Sequence, residues 1–406
     1  MNILFISRNS PFESIGGIER YLANLIVYYK SLKNSDSHLY LMLPSTKENF
    51  VKEDGNVTVF YDQSLFLPRS SFATKKEVSK KAQDFSQNVT QILIDKEIDI
   101  ICAENFNIDL PPAYSLLLNM ITMSRKIPLV LQLHSFASTE IQTELINQLK
   151  WDKISCVSKS VAGDCFQKGV DIGYISVHYL GVNTNEFNND TPKSLDLKKH
   201  LILEDTDKII LTATRIIRGK KNILQEKGII NLIEAFSKIS PRYPRLKLLI
   251  AIGKPPENLN QEFNIAFEML GGYIKLHNVE KQTILKMFKL DEMPNVYKGS
   301  DVFALASENE TFGQVFIEAM SCGLPVIGTK VGGIPEIISD SYNGYLVTPN
   351  DSSILAQRIE ALLNDASLRN NFIKAGLSTV RRSFTTEKQF SDFHEMLENT
   401  VLSYAH

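Results

Sequence analysis

The residue types best suited to chemistry in this 406-residue sequence are two glutamates, Glu310 and Glu318, separated by seven residues. An apolar run ends at Ala306, a polar loop follows, and a helix is predicted to begin near Gly313. Because helical side chains lean toward the helix N-terminus, Glu318 and the preceding Glu310 can face one small volume. Two carboxylates there suit vicinal hydroxyl groups, as on sugars and ribose, whereas each glutamate alone is more often a solvated surface charge.

The same helix start is also suited to an anion. A helix that begins at the carboxyl edge of a parallel sheet offers its free N–H groups and the positive end of its dipole. That start is residues 312–314. Arg215 at the end of another predicted strand, and Lys227 beyond the next loop, would add positive charge. A second glycine turn, Gly332-Gly333, follows the next strand, and together these features predict a diphosphate site.

Short apolar runs that alternate with amphipathic segments must position these residues. Strands of a parallel sheet covered on both faces read as continuous apolar runs, and their carboxyl ends share one edge. Helical spacing is clearest after Gly17, where apolar residues recur on one stripe. We predict strands at residues 2–8, 39–44, 57–61, 99–103, 129–134, 154–158, 175–180, 209–215, 246–253, 274–277, 301–306, 325–329 and 345–348.

The alternating pattern breaks at residues 184–207, where a polar stretch precedes a charged one. We therefore predict an α/β protein of two doubly wound domains, residues 1–187 and 188–385, facing each other across a ligand-binding cleft. An amphipathic segment containing Phe390 and Phe393 predicts that residues 386–406 return to the first domain. A chain of 45.8 kDa with 43% hydrophobic residues suits two globular domains.

Composition excludes several classes of function. With Lys+Arg 44 against Asp+Glu 46, the net charge of -2 gives no global basic field for nucleic acid. The apolar runs fall far short of the ~18 residues that span a bilayer, and no targeting segment is visible. The four cysteines lack C-x-x-C spacing, so buried thiols in a reducing cytoplasm are expected, not a zinc site or disulfides. A cytoplasmic protein is the expectation.

The second half carries a resemblance to a known family. Arg215, Lys227-Gly228 and the segment 231–236 look like the diphosphate-binding segment of retaining glycosyltransferases of family 4. Glu310 and Glu318, followed by Ala-Met-Ser-Cys-Gly-Leu-Pro-Val, resemble the paired-glutamate motif of that family. The match is highly specific between residues 209 and 350. The resemblance implies the GT-B architecture, in which two Rossmann-like domains face each other across a cleft.

The N-terminal half matches that family more loosely. Gly16-Gly17 resembles the first glycine loop of the family, and His134 stands at the end of a strand where the family carries a histidine. The match is weaker between roughly 60 and 128, where acceptors are usually contacted. By this resemblance the first domain would bind the acceptor and the second the nucleotide sugar.

The resemblance implies a retaining, metal-independent glycosyltransferase with no cofactor beyond its nucleotide diphosphate sugar. It would move a hexose or N-acetylhexosamine, from a UDP-sugar as the preferred donor, to a hydroxyl acceptor in surface glycan, glycolipid or glycoside synthesis. No protein nucleophile is required, because in the favoured front-face reaction the departing phosphate oxygen helps deprotonate the acceptor hydroxyl. The donor base and sugar, the acceptor, the linkage and the oligomeric state stay open.

Roles for individual residues follow from the same resemblance. The catalytic set is His134, Arg215, Lys227 and Glu310, with His134 near the 6-position of the sugar or the reacting centre and Glu310 on hydroxyls of the donor sugar. Arg215, Lys227 and the helix start would stabilise the charge that develops on the diphosphate. Glu318 would hold the ribose hydroxyls. The full donor-binding set is Gly16, Gly17, Arg215, Lys227, Glu310, Phe312, Gly313, Gln314 and Glu318.

Several alternatives stand beside this interpretation. Lys220 fits the usual spacing from Arg215, whereas Lys227 fits the surrounding sequence, and we favour Lys227 because the following helix matches in register. His134 is alternatively a core histidine. A sugar-nucleotide epimerase of the same fold, or a catalytically silent partner subunit, are the rival functions.

Two further motifs each have a functional interpretation and an ordinary surface interpretation. Asp205-Thr206-Asp207 has the spacing of a metal-binding D-x-D motif, but it precedes a strand and is interpreted as a solvated loop. The basic run at residues 69–81 is by default a solvated helix face. The functional alternative is that this run contacts an anionic acceptor or anionic lipid. In the second case the protein would be peripheral at the inner face of the membrane.

Overall fold

The computed structural model describes residues 1–11, 16–32, 36–67, 74–190, 195–216, 222–255 and 259–404. They divide into two compact units, each with its own sheet. The first comprises Met1–Phe12, Ile18–Tyr179 and Gln389–His406, and the second comprises Glu13–Gly17 and Leu180–Lys388. Among the described residues, no helix combines the length and apolar character needed to cross a membrane.

The first unit contains an eight-stranded sheet in the order β3-β4-β2-β1-β5-β6-β7-β8, parallel except for the antiparallel pair of β3 and β4. Its core strands are buried on both faces, as continuous apolar sequence requires. In chain order the elements are β1 Asn2–Ile6, α1 Gly17–Ser31, β2 His38–Pro44, β3 Phe50–Asp54, β4 Val57–Asp62, α2 Lys75–Asp95, β5 Ile100–Glu104, α3 Phe106–Asp109, α4 Pro112–Arg125, β6 Leu129–Leu133, α5 Glu140–Gln148, β7 Lys153–Cys156, α6 Lys159–Gln167 and β8 Ile175–Val177.

The second unit contains a six-stranded, fully parallel sheet in the order β11-β10-β9-β12-β13-β14. Its elements are α7 Leu197–His200, β9 Lys208–Thr214, α8 Ile223–Glu226, α9 Ile229–Ile239, β10 Leu246–Gly253, α10 Asn260–Leu276, β11 Thr283–Phe288, α11 Met293–Gly299, β12 Val302–Ala304, α12 Gln314–Ser321, β13 Val326–Thr329, α13 Ile334–Ile337, β14 Tyr345–Val347, α14 Ser352–Asn364, α15 Ala366–Ser383 and α16 Thr386–Tyr404, the last of which continues into the first unit.

Each sheet has one point where the strand order reverses. In the first unit the chain proceeds outward from β1 to β2 and later from β5 to β8, so the reversal lies between β1 and β5. In the second unit it lies between β9 and β12. In doubly wound sheets, ligands bind outside the carboxyl ends of the strands at such a point. The predicted Rossmann-like, doubly wound α/β fold is confirmed in both units.

The last helix packs within the first unit. The ring of Phe390 lies 5.1 Å from that of Tyr21, between ring centroids. The hydroxyl of Tyr29 lies 2.8 Å from His394 Nδ1. Phe393 and Leu397 are also buried. The apolar stripe of α16 is therefore covered by residues of α1 and its neighbours.

The unit boundaries and one predicted strand differ from the structure. The units separate at Tyr179/Leu180 and Lys388/Gln389, not at 187/188 and 385/386. The reason is that Val182 donates its N–H to Phe384 O at 2.8 Å and pairs with Thr385, which ties this segment to the second unit. Residues 274–277, expected as a strand, end helix α10, and β11 follows instead.

Candidate functional site

Glu310 lies just before helix α12, and Glu318 lies within it. The helix follows β12, one of the two strands between which the strand order reverses. Gly313 precedes the helix with φ 102, a left-handed conformation that favours glycine. Phe312 is buried, and so is Gln314, the first helical residue. Oε1 of Gln314 has no hydrogen-bond partner among the described residues. The helix start thus combines backbone N–H groups with an available side-chain acceptor.

The turn that carries Lys227 is fixed against the loop after β12. Gly228 has φ 64, and a Cβ atom there would lie 1.8 Å from Ala306 O. Glu308 donates its backbone N–H to Glu226 O at 2.8 Å, and Gln225 Nε2 donates to the carboxylate of Glu308. Only glycine can approach the neighbouring backbone this closely. The structure therefore positions Lys227 by backbone contacts on both sides.

Lys227 and Glu310 form an ion pair. Lys227 Nζ donates to Glu310 Oε2 at 3.1 Å, and the two side chains are 27% and 16% exposed. The loop bearing Glu310 is held by the second glycine turn, since Gly333 N–H donates to Glu310 O at 3.1 Å. Gly332 has φ 51, and a Cβ atom there would lie 1.6 Å from the same oxygen. Two of the predicted catalytic residues are thus brought together.

Glu318 has a different environment. It is fully buried in α12, and Tyr297 of α11 donates its hydroxyl to Glu318 Oε2 at 3.0 Å. Tyr297 is itself fully buried. No role was predicted for Tyr297 from the sequence. The only sequence signal for this pair was a tyrosine on a short helix ahead of β12, which does not specify a contact.

Arg215 follows β9 directly and is exposed, beside the end of β10. A Cβ atom on Gly253 would lie 3.3 Å from Arg215 Cγ. The alternative lysine, Lys220, lies outside the described residues. Arg215, Lys227, Glu310 and the α12 start all belong to loops at the carboxyl edge of the second sheet, because β9, β12 and β13 run parallel.

His134, the predicted histidine of the first unit, follows β6 and is buried. Its Nε2 lies 3.2 Å from Glu104 Oε1, and the two side chains are 3% and 0% exposed. The Ser7 hydroxyl, which follows β1, donates to Oε2 of the same carboxyl. The sequence did not identify Glu104 or Ser7, because their contact joins residues 97 positions apart.

Burial shifts the pKa values of this pair in opposite directions. It raises the pKa of Glu104 well above its usual range, with a smaller lowering from the Ser7 hydrogen bond. It lowers the pKa of His134 to about 3. Loss of water disfavours the charged form of each group, which raises the pKa of the carboxyl and lowers that of the imidazole.

The remaining sequence candidates occupy other places. Gly16 lies in the turn before α1, and Gly17 is its first residue. Asp207 is buried and accepts from Glu204 N–H at 2.9 Å through Oδ2, at the amino end of β9. Arg215, in contrast, follows the carboxyl end of that strand. Among the described residues, no group of three or more His, Cys, Asp or Glu side chains could hold a metal ion.

In the described part of the basic run, three lysines are exposed and a fourth donates hydrogen bonds. Lys75, Lys76 and Lys80 are exposed on the first turns of α2. Lys81 Nζ donates to Gln63 O at 2.7 Å and to Phe66 O at 2.6 Å. Burial lowers the pKa of Lys81. Residues 69–73 of the run lie outside the described residues.

Residues 198–379 match the family model described as glycosyl transferases group 1. The chain is 31% identical to N-acetyl-alpha-D-glucosaminyl L-malate synthase of Bacillus anthracis over 48% of this chain and 47% of that protein. It is 27% identical to the capsular polysaccharide biosynthesis glycosyltransferase CapM of Staphylococcus aureus over 55% of this chain and 53% of that protein. The chain thus spans about half the length of these curated relatives.

Two solved structures share the fold over nearly the whole chain. Anabaena Alr3699/HepE in complex with UDP and glucose aligns with a TM-score of 0.73 at 20% identity, over 98% of this chain and 99% of that one. Sucrose-phosphate synthase from Thermosynechococcus elongatus aligns with a TM-score of 0.79 at 18% identity, over 99% of each. The fold is that of the GT-B glycosyltransferases, and the family match supports a glycosyltransferase.

Proposed function

We propose that the protein is a retaining, metal-independent glycosyltransferase of family 4 that uses a nucleotide diphosphate sugar, with a UDP-sugar as the first candidate. The observation that carries the proposal is the pairing of Lys227 with Glu310 beside the start of α12. A cation, a carboxylate and a helix N-terminus at one sheet edge suit a ligand with a charged diphosphate and sugar hydroxyls. The Anabaena structure with UDP and glucose favours such a donor, and the name of the B. anthracis relative favours an N-acetylglucosaminyl group as the sugar that is moved.

In this proposal the positive groups act on the leaving diphosphate. Lys227 exchanges its contact with Glu310 for a phosphate oxygen, and Arg215 contributes a second cation. Glu310 is then free to accept hydrogen bonds from hydroxyls of the donor sugar. Stabilising the charge that develops on the leaving group lowers the barrier to transfer. The departing phosphate oxygen then helps to deprotonate the acceptor hydroxyl.

Glu318 and His134 complete the proposed set. Tyr297 holds one oxygen of Glu318, which fixes the carboxylate for the ribose hydroxyls. His134 contacts the donor sugar, and Gly16 and Gly17 allow the backbone to approach the donor or the acceptor closely. The acceptor is a hydroxyl of a surface glycan, a glycolipid or a small glycoside, as the capsular relative suggests. No metal or further cofactor takes part.

A panel of UDP-, GDP-, ADP- and dTDP-sugars tests this proposal by thermal stabilisation and by donor hydrolysis. A ligand of the native state at 100 times its Kd stabilises by about 2.7 kcal/mol. We expect at least one UDP-sugar to raise Tm in the wild type and much less in Lys227→Ala. Chelator should leave turnover unchanged, and the product should retain the anomeric configuration by proton NMR. The absence of stabilisation by every nucleotide sugar would refute the donor site.

We also propose a peripheral contact with anionic lipid through the basic run, supported by the exposed Lys75, Lys76 and Lys80. Each lysine near an anionic surface contributes about 1 kcal/mol. Replacement of all three by Glu should abolish sedimentation with vesicles of phosphatidylcholine and phosphatidylglycerol. Lys198→Glu with Lys199→Glu, on α7, reverses two charges at a different place and is the control, which should sediment as wild type does. Equal sedimentation of all variants contradicts the contact.

A further inference from the structure

The outer face of helix α4 in the first unit has three exposed apolar side chains. Leu116, Met120 and Met123 are 47%, 66% and 56% exposed. Their spacing of four and three residues puts them on one stripe of the helix, whereas Tyr114 and Leu118 are buried on the other side. Single exposed apolar residues are ordinary, but a contiguous apolar stripe rimmed by polar groups marks a surface that binds a partner or a membrane.

Helix α2 lies beside α4 on the same side of the sheet. The rings of Phe85 on α2 and Tyr114 on α4 are 5.1 Å apart between centroids, and both residues are buried. The chain moves in one direction across the sheet when α2 joins β4 to β5 and when α4 joins β5 to β6. Right-handed crossovers therefore put both helices on one face of the sheet, with their outer sides toward solvent.

The outer sides of these two helices are predominantly cationic. Helix α4 contains no Asp or Glu. Of the two exposed carboxylates on α2, Glu77 accepts from the Thr74 backbone N–H at 2.7 Å, and Asp95 accepts from Gln91 Nε2 at 2.7 Å. We use the term α2/α4 face for the apolar stripe together with the exposed cations of α2, of α4 and of the residue that caps α4. Those cations are Lys75, Lys76, Lys80, Arg125 and Lys126.

A lipid surface fits this face better than a second copy of the chain does. A stable protein interface buries about 800 Å² on each partner, from roughly 20–30 residues, whereas the apolar stripe has three side chains. A two-fold interface would also set the same cations against each other, which is unfavourable. An anionic bilayer instead offers charge of the opposite sign above an apolar layer, and methionine side chains adapt to irregular apolar surroundings.

We propose that the α2/α4 face docks the first unit on an anionic bilayer. Leu116, Met120 and Met123 enter the boundary between headgroups and acyl chains, as the apolar face of an interfacial helix does. The cations of the face contact lipid phosphates. This inference deepens the proposed lipid contact of the basic run and rests on it for the choice of lipid, but it also requires apolar side chains of a second helix.

Sedimentation of the full chain with vesicles of phosphatidylcholine and phosphatidylglycerol tests the apolar requirement. Met120→Asp should lower the partition coefficient about 10- to 100-fold, because the variant loses the transfer of one apolar side chain from water and gains a charge that lipid phosphates repel. Met120→Leu keeps an apolar side chain and should sediment as wild type does. Both variants should unfold at the wild-type temperature, since the position is exposed.

Val27→Asp is the matched control. Val27 is 55% exposed on α1, and α1 joins β1 to β2, in the opposite direction across the sheet to α4. Right-handed crossovers place α1 on the other face of the sheet. Val27→Asp should therefore sediment as wild type does.

Tryptophan fluorescence tests whether the stripe enters the bilayer. Trp151 is the only tryptophan of the chain and is buried. Met120→Trp adds a second tryptophan in the stripe, and we expect its emission to shift to shorter wavelength with vesicles and to be quenched by brominated phosphatidylcholine. Val27→Trp should show neither change. Contact through the lysines alone would leave both variants unquenched.

Unchanged sedimentation of Met120→Asp, or a bound Met120→Trp that is not quenched, overturns the inference. A wild-type dimer that Met120→Asp converts to a monomer, measured by light scattering, also overturns it, because a second copy would then cover the stripe. If replacement of Lys75, Lys76 and Lys80 by Glu leaves sedimentation unchanged while Met120→Asp abolishes it, the basic-run contact is wrong and the apolar stripe stands. If the wild type does not sediment with these vesicles, both lipid proposals are wrong, and the nucleotide-sugar panel still decides the donor site.

Discussion

The candidate residues of both units lie at the carboxyl edges of their sheets but are held in opposite ways. In the second unit, Lys227 and Glu310 are partly exposed, and glycine turns hold their loops by close backbone contacts. In the first unit, His134 and Glu104 are almost completely buried and hold each other. Lys227 and Glu310 lie beyond β9 and β12, between which the strand order reverses, whereas Glu104 ends β5 beside the reversal of its sheet and His134 follows β6, one strand farther out.

The difference indicates two ways of preparing a site. Partly exposed charges can change partners when an anion arrives, since solvent screens the ion pair they leave. A buried pair instead keeps one orientation, because moving a buried polar group into apolar surroundings is costly. In the second unit we therefore expect backbone substitutions to affect stability and removal of charge to affect turnover. In the first unit we expect the protonation of the buried side chains to affect stability.

The largest effect should come from breaking the backbone contact that supports Lys227. In Gly228→Ala the new Cβ would overlap Ala306 O, and alanine is also strained at φ 64. We expect a loss of about 4 kcal/mol or more in the free energy of unfolding, measured by urea denaturation. Gly271→Ala is the control, since a Cβ there meets nothing within 4 Å inside α10 and should stabilise by about 0.5–1 kcal/mol. Similar stability of both variants would contradict the close approach.

Removal of a site cation is expected to affect turnover more than folding. Lys227→Ala and Arg215→Ala should each lose about 2–4 kcal/mol of transition-state stabilisation, or roughly 30- to 1,000-fold in turnover. Lys220→Ala should do far less, and steady-state kinetics with the donor found in the panel compares the three. A crippled Lys220→Ala beside a normal Lys227→Ala would reverse the assignment of the lysine.

The buried pair of the first unit should be visible in the pH dependence of stability. Because the pKa of folded His134 is lowered to about 3, the unfolded chain binds a proton that the native state does not as pH falls below about 6.5. This proton binding lowers the free energy of unfolding by up to about 2 kcal/mol between pH 7 and pH 5. Glu104 has the opposite effect, because its pKa is raised in the folded protein. Its contribution to the free energy of unfolding is lost as pH rises above the pKa of the unfolded chain, near 4.5.

Variants at His134 and Glu104 separate the two opposing terms. His134→Gln should gain stability relative to wild type as pH is lowered from 7 to 5, and Glu104→Gln should lose it. Urea denaturation at several pH values measures both slopes. Parallel profiles for wild type and His134→Gln would mean that His134 ionises normally in the folded protein.

We expect the smallest effect, on UDP binding, from the buried pair of Glu318 and Tyr297 in the second unit. Tyr297→Phe removes a hydroxyl that donates to Glu318 Oε2, at a cost of about 1 kcal/mol in UDP binding. Glu318→Ala should weaken UDP binding more, while Glu310→Gln should mainly slow transfer. Calorimetry with UDP distinguishes these outcomes. An unaltered UDP affinity in Glu318→Ala would remove the carboxylate from the ribose site.

The second-unit candidates could be predicted because their information is local in sequence. Gly313, Gly332 and the strand–loop–helix pattern around Glu310 lie within a few dozen residues, and glycines at positive φ mark the close turns. The pairing of Lys227 with Glu310 joins residues 83 positions apart. The sequence placed both residues at one sheet edge but did not predict that they contact each other. The first-unit carboxyl Glu104 was missed because Ser7, Glu104 and His134 come from three separate strand ends.

The errors in the strand predictions have a related cause. Residues 274–277 were expected as a strand, but Ile274 belongs to the buried face of α10, and the helix ends at Leu276, which is exposed. Strand β11, in contrast, is an edge strand that is only partly buried, so its sequence lacks a continuous apolar run. Strand β3 is exposed throughout and pairs only with β4, which hides it from any pattern based on burial.

The position of α16 has a consequence for how the protein is made. Phe390 and His394 cover Tyr21 and Tyr29 of α1, yet residues Leu180–Lys388 of the second unit are translated between them. At ~5–20 residues per second, the nascent first unit waits on the order of 10–50 s for its last helix. During that interval an aromatic face of α1 is uncovered, whereas the second unit emerges with every strand of its sheet in one continuous stretch. Ribosome-bound chains halted before Thr386 should therefore recruit chaperones to the N-terminal part of the sequence, although it is the older part of the polypeptide.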